Sequence, residues 1–243
     1  TYTWTNDTPS IGLAASGTGD IAPFTALNPG LAPVVATITV TPHFDNGSTN
    51  CDGPPKTFTI TVNPLGQVVQ PANQTVCNNA STALVTFTTL NTGGTTTHEW
   101  SNDNTSIGLA ASGSGNIAAF TAINTGTSPV VATITVTPTF TNGANACVGS
   151  AKVFTITVNP TPGVMFNPAS TPTICTGSTA SILFDPTVSG TTFNWTVPSL
   201  PTGVTMVNVS GTGNVSEIIN NATNIPQTVV FHVMPVAATC SPA

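Results

Sequence analysis

Residues 1–64 of this 243-residue chain recur, without a gap, 96 positions later. Thr1–Pro64 aligns with Thr97–Pro160, and 43 of the 64 positions are identical. Trp4 falls on Trp100, Cys51 on Cys147, and the segment Phe58–Pro64 on Phe154–Pro160. A near-verbatim neighbour at a domain-sized period marks a tandem array of one module. It points to a molecule whose work is length and surface presentation rather than one-site chemistry.

A third, more diverged copy follows. Cys175 lies 98 residues after Cys77, Trp195 lies 95 after Trp100, and Gly211-Thr-Gly-Asn214 echoes Gly113-Ser-Gly-Asn116. Units of 95–98 residues are the size of an immunoglobulin-like sandwich, and too large for a helical solenoid repeat or a propeller blade. The expected division is 1–64, a module lacking its opening strands; 65–161, a complete module; and 162–243, a module lacking its last strand. Both ends are thus expected to be cut inside a module, as in a window on a longer array. Donation of the missing strand by a neighbour is the other reading of the same deficit.

The local pattern is all-β. Thr dominates the polar residues and suits strands, while Asn, Gly, Pro and Ser suit turns. Val130–Pro138 alternates strictly, with Ala132, Ile134 and Val136 on one face and threonines on the other. Val153–Val158 repeats the pattern with Phe154, Ile156 and Val158 inward, and Asn142-Gly143 is a hairpin signal. Strands are also expected at Val68–Val76, Ala83–Thr89, Thr97–Ser101 and Ile117–Ala122. Prolines at strand ends (Pro42, Pro64, Pro138, Pro160 and Pro235) are expected to guard the edges in place of lysine. The linkers Pro64-Leu-Gly66 and Pro160-Thr-Pro-Gly163 are short and Pro-rich, so the modules are predicted to form an extended, semi-rigid rod.

Trp4, Trp100 and Trp195 take one equivalent position each and are predicted to pack in the core of a sandwich. The five cysteines also sit in repeat positions. Cys77 and Cys147 lie near the start and end of the second module, and Cys175 and Cys240 near those of the third. Cys77–Cys147 and Cys175–Cys240 are the expected bridges, each worth roughly 4 kcal/mol in the chain-entropy picture. Cys51 is expected to pair within its own module, upstream of Thr1. Such bridges imply an oxidising, extracellular compartment.

Charge excludes several functions. The chain has eight acids, two lysines, no arginine and a net charge of −6, so it lacks the clustered cations that phosphate backbones require. No apolar run approaches the roughly 20 residues that span a bilayer as a helix. Of the histidines His43, His98 and His232, the first has Thr139 and the second Tyr2 at the repeat position, and no Ser-His-Asp set can be assembled from the sequence, so no catalytic residue and no cofactor are expected. Asp7 and Asp103 coincide in Trp-x-Asn-Asp. They are read as Asx turns after the Trp strand, with a structural calcium ligand as the weaker alternative. The Gly-x-Gly segments have no following helix and are read as tight turns, not phosphate loops.

Gln74–Cys77, Thr97–Trp100, Ser106–Gly113, Val131–Pro138 and Phe154–Pro160 resemble the PKD-like and immunoglobulin-like repeats of very large cell-surface proteins of Bacteroidota. The resemblance implies an adhesin of the gliding-motility or attachment type, exported by type IX secretion. Its partners would be neighbouring modules of the same long chain, other copies in a filament, and surface glycans or abiotic surfaces, with no nucleic acid and no membrane span. An array of accessory or carbohydrate-binding modules of a secreted enzyme is the alternative.

Overall fold

The computed structural model describes residues 1–243 except 168–171, 239 and 243. The chain is a series of β sandwiches. The first repeat holds β1 (Tyr2–Asn6), β2 (Ser16–Thr18), β3 (Val34–Asp45), β4 (Asn50–Asp52) and β5 (Lys56–Val62). The second holds β6 (Gln74–Cys77), β7 (Thr95–Asn102), β8 (Ser112–Ser114), β9 (Val130–Asn142), β10 (Asn145–Val148) and β11 (Lys152–Asn159). The third holds β12 (Val164–Asn167), β13 (Ser178–Pro186), β14 (Thr192–Thr196), β15 (Val204–Met206), β16 (Ser210–Thr212), β17 (Val215–Asn221) and β18 (His232–Val236). Helix is confined, among the described residues, to the single 3₁₀ turns Pro9–Ile11 and Thr105–Ile107.

In the second repeat the sheet order is β6-β11-β9-β7-β8, with β10 also on β9. The alternation of β9 sets its inward face: Ala132, Ile134, Val136 and Phe140 are fully buried, as are Ile156 and Val158 of β11. The opposing layer is irregular. Residues 80–90 and 117–122 carry only the bridges Ser81–Thr121 and Val85–Ile117, so the strands expected there are two contact points rather than ladders. Side chains take the backbone groups instead: Gln74 accepts from Ala83 N–H, and Asn116 accepts from Phe87 N–H. In the third repeat both layers are regular, as sheets β12-β13-β17-β15 and β16-β14-β18.

Three of the prolines expected at strand ends lie inside strands. Pro42, Pro138 and Pro235 belong to β3, β9 and β18. A proline cannot donate to a ladder. Pro138 is tolerated because it falls where one edge of β9 passes from β11, which starts opposite Val136, to β10, which ends opposite Thr139. Pro42 occupies the same gap between β5 and β4.

Each repeat has its own apolar core, centred on Trp4, Trp100 and Trp195. The first core is open. Phe140 and Phe154 are 0% and 1% exposed, yet their equivalents Phe44 and Phe58 are 67% and 47% exposed. The cause is the segment that precedes the Trp strand in the second repeat. Phe87 packs edge-on against Phe154, and Gly94 lies against the Phe140 ring. The first repeat has no counterpart of residues 65–96 among these 243.

Candidate functional site

The three tryptophans share one geometry. Trp4 pairs across the ladder with Gly17, Trp100 with Gly113 and Trp195 with Gly211. A Cβ at any of these glycines would overlap the indole, so the first Gly of each Gly-x-Gly segment is a seat for the Trp ring. The second Gly makes the turn: Gly19, Gly115 and Gly213 have φ of 70°, 68° and 71°. The sequence shows the turn but not the seat, because the partner across the ladder lies outside the local motif. The Nε1 of all three indoles is buried without a hydrogen-bond partner.

The acids do not gather. Asp7 and Asp103 are not the Asx-turn residues expected of them; Asn6 and Asn102 accept from the N–H two positions on. Asp7 and Asp103 instead accept the N–H of Thr37 on β3 and Thr133 on β9, at 2.8 and 2.6 Å, and pin the Trp strand to its neighbour. That Thr37 N–H, with the Thr8 hydroxyl second, holds the Asp7 carboxyl below its ordinary range. Among the described residues no group of three or more His, Cys, Asp or Glu could hold a metal ion.

One arrangement escaped the sequence. His43 bridges the Thr3 hydroxyl, 2.6 Å from Nε2, and the Asp52 carboxylate at Nδ1. The order hydroxyl, imidazole, carboxylate is that of a nucleophile triad. His43 and Asp52 are cross-strand partners on β3 and β4, Thr3 of β1 reaches His43 on the diagonal, its own partner being Thr41, and the second repeat has Glu99, Thr139 and Val148 in their places. It ties three strand ends together at a cleft of about 300 Å³ that also exposes Phe44 and Cys51.

The site that recurs is the junction between repeats. At the first junction, the Asn63 side chain accepts from the Asn142 side-chain amide and donates to the Asn142 backbone carbonyl, Gly66 donates to the Cys147 carbonyl, and Asn91 donates to the carbonyls of Leu31 and Leu65. At the second, Asn78 donates to the Thr161 hydroxyl, and a cleft of about 120 Å³ lies between Thr127–Pro129 and Asn159–Pro160 on one side and Val188–Ser189 and Ala237 on the other. The two junctions sit at opposite ends of the second repeat.

Here the structure corrects the expected bridges. Cys77 is bonded to Cys240 with Cα atoms 5.6 Å apart, and Cys51, Cys147 and Cys175 are free. The bond links the second repeat to the third. Strand direction forbids Cys77–Cys147. Strand β6 runs parallel to β11, which places Cys77 beside Asn159, at the end of β9 where Val130 lies. Cys147 pairs with Phe140 at the other end. The ten residues of β9 from Val130 to Phe140 span about 33 Å, whereas a disulfide needs Cα atoms within about 7 Å. With Cys240 engaged by Cys77, Cys175–Cys240 does not form either.

Residues 172–242, most of the third repeat, match the family model described as PKD-like domain. No match was found among curated proteins. Among solved structures the chain is similar to domains 3–5 of the extracellular part of Drosophila OTK, at 12% identity over 99% of this chain and 82% of that one, with a TM-score of 0.36. It is similar to the protocadherin GammaB4 extracellular domain at 15% identity over 88% and 39%, with a TM-score of 0.31. For the FN1–FN3 domains of chicken CNTN1 the values are 10%, 96%, 82% and 0.26. Likeness at this level says nothing of the partner or role of this chain. Among the described residues no helix is long and apolar enough to cross a membrane.

Proposed function

We propose that this chain is a structural and adhesive segment of a long extracellular repeat protein, with sandwiches at 1–64, 65–161 and 162–243 strung end to end as a semi-rigid rod. The observation that carries this is the covalent bond between two copies of one design, Cys77–Cys240. A cystine between repeats fixes their relative position and stops them separating under load. It also supports an oxidising, extracellular compartment. The near absence of charge gives a surface whose contacts depend little on salt. The role needs neither a cofactor nor a catalytic group. The resemblance to Bacteroidota surface repeats supports a part in attachment or gliding motility, with glycans or abiotic surfaces as what it would meet and further repeats or filament copies as its neighbours.

Small-angle scattering of the 243-residue chain tests the rod. A compact body of this length has a radius of gyration of about 18 Å, and end-to-end sandwiches of these strand lengths give about 30 Å. A value near the compact one, or failure of the immobilised chain to retain any glycan or coat any surface, removes the rod or the adhesive part of the reading respectively.

A further inference from the structure

The five cysteines occupy only two places in the fold. In each repeat, the residue four positions beyond the Trp partner faces a cysteine. Trp4 pairs with Val40, and Phe44 with Cys51; Trp100 pairs with Val136, and Phe140 with Cys147. In the third repeat Trp195 pairs with Val233, and Ala237 bridges to Cys240. Cys51, Cys147 and Cys240 therefore share one ladder position. The other two share a turn. The Cys77 carbonyl accepts from Ala80 N–H and the Cys175 carbonyl from Ser178 N–H, each turn having a positive φ two residues after the cysteine, 65° at Asn79 and 79° at Gly177.

The bond that forms joins the turn cysteine of one repeat to the ladder cysteine of the next. We propose that this is the rule for every junction. Cys147 is then the acceptor for a turn cysteine of the repeat before it, Cys51 likewise, and Cys175 is the donor to the ladder cysteine of a following repeat. The array is a chain of sandwiches linked by one cystine per junction, and no repeat is bridged within itself.

A second observation supports the rule at the first junction. In the second repeat the turn cysteine lies beside Asn159. The equivalent of Asn159 is Asn63, and its side chain bonds to Asn142, on the hairpin that carries Cys147 two rungs away. A turn cysteine beside Asn63 is thus delivered to Cys147, while Cys51 lies at the far end of its own repeat. Each bond forms from two thiols, whose two electrons go to a disulfide oxidant such as oxidised glutathione. Exchange proceeds through a mixed disulfide and releases two glutathione thiols and no net protons.

The inference rests on the tandem-array reading, and one chain separates the two. A second copy of residues 65–96 is fused in front of Thr1, giving the first repeat the segment that precedes Thr97 in the second. The full chain is folded in a glutathione redox buffer and mapped by non-reducing digestion and mass spectrometry. The new cysteine is expected to be joined to Cys147, with Cys77–Cys240 retained and free thiols at Cys51 and Cys175 only. A bond from the new cysteine to Cys51, or a free new thiol in a folded chain, overturns the rule. Scattering on that same sample then shows whether the rod itself survives. Should the extended chain not fold, the unextended one decides: Cys77–Cys240 with an alkylated Cys147 upholds the rule, and Cys77–Cys147 overturns it.

Discussion

The Trp–Gly seat is tested most sharply by Gly113→Ala. Gly113 lies across the ladder from Trp100, and its φ is outside the left-handed region, so alanine meets no backbone penalty there. The cost is steric. The new Cβ would overlap Cζ2 and lie 2.7 Å from Cε2 of the indole. Trp100 is packed into the core with Ile107, Ile134 and Phe154 and has nowhere to move without displacing them. Overpacking of this kind costs about 1–3 kcal/mol. Amide exchange of Ala132–Val136 in the full chain reads that loss locally, as a roughly 5- to 150-fold faster exchange. Trp100→Phe supplies the decisive control, because phenylalanine lacks the outer indole ring that meets the Cβ. On that background Gly113→Ala should add almost nothing, a coupling as large as the original cost. Gly115→Ala is the counterpart: no atom lies within 4 Å of its Cβ, but its φ of 68° makes the backbone alone responsible, for about 1–2 kcal/mol. The reasoning fails if Gly113→Ala leaves exchange within twofold of the parent chain, or costs the same with Phe at position 100.

Two further predictions follow from the open first core and from His98. Phe140→Ala and Phe154→Ala should each destabilise the second repeat by about 3–5 kcal/mol, and Phe44→Ala and Phe58→Ala the first by under about 1 kcal/mol, in urea titrations resolved by exchange; equal costs would mean the first core is covered. Burial beside Phe87 lowers the pKa of His98 below its ordinary 6.5, against the opposing effect of the Gln67 backbone. The unfolded chain therefore binds the proton first, so stability of the second repeat is complete above about pH 6.5 and falls as pH drops through that value. His98→Tyr, which puts in the residue of the first repeat, should flatten that slope, and an unchanged slope would assign it elsewhere.

The parts of the fold legible in the sequence are those in which one side-chain period carries the whole signal. Strands β9 and β11 read directly because Thr alternates with Ala, Ile, Val and Phe over a ladder that both strands complete. Residues 80–90 and 117–122 do not, because Gln74 and Asn116 intercept the backbone groups that a ladder would use, and nothing in residues 83–89 themselves records that. The Thr3–His43–Asp52 contact is invisible for a related reason: its members come from three strands and only the first repeat carries all three.

The cysteines show the limit most clearly. Their positions in the repeat are plain from the spacing, yet their pairing turns on a strand direction. Because β6 is parallel, the turn cysteine is carried to the end that meets the next repeat. A parallel closing pair requires the chain to travel the length of the sandwich between its first and last strands, which is what residues 78–151 do. That single choice of direction turns a staple inside one sandwich into a link between two, and makes the cystine a property of the array rather than of the module.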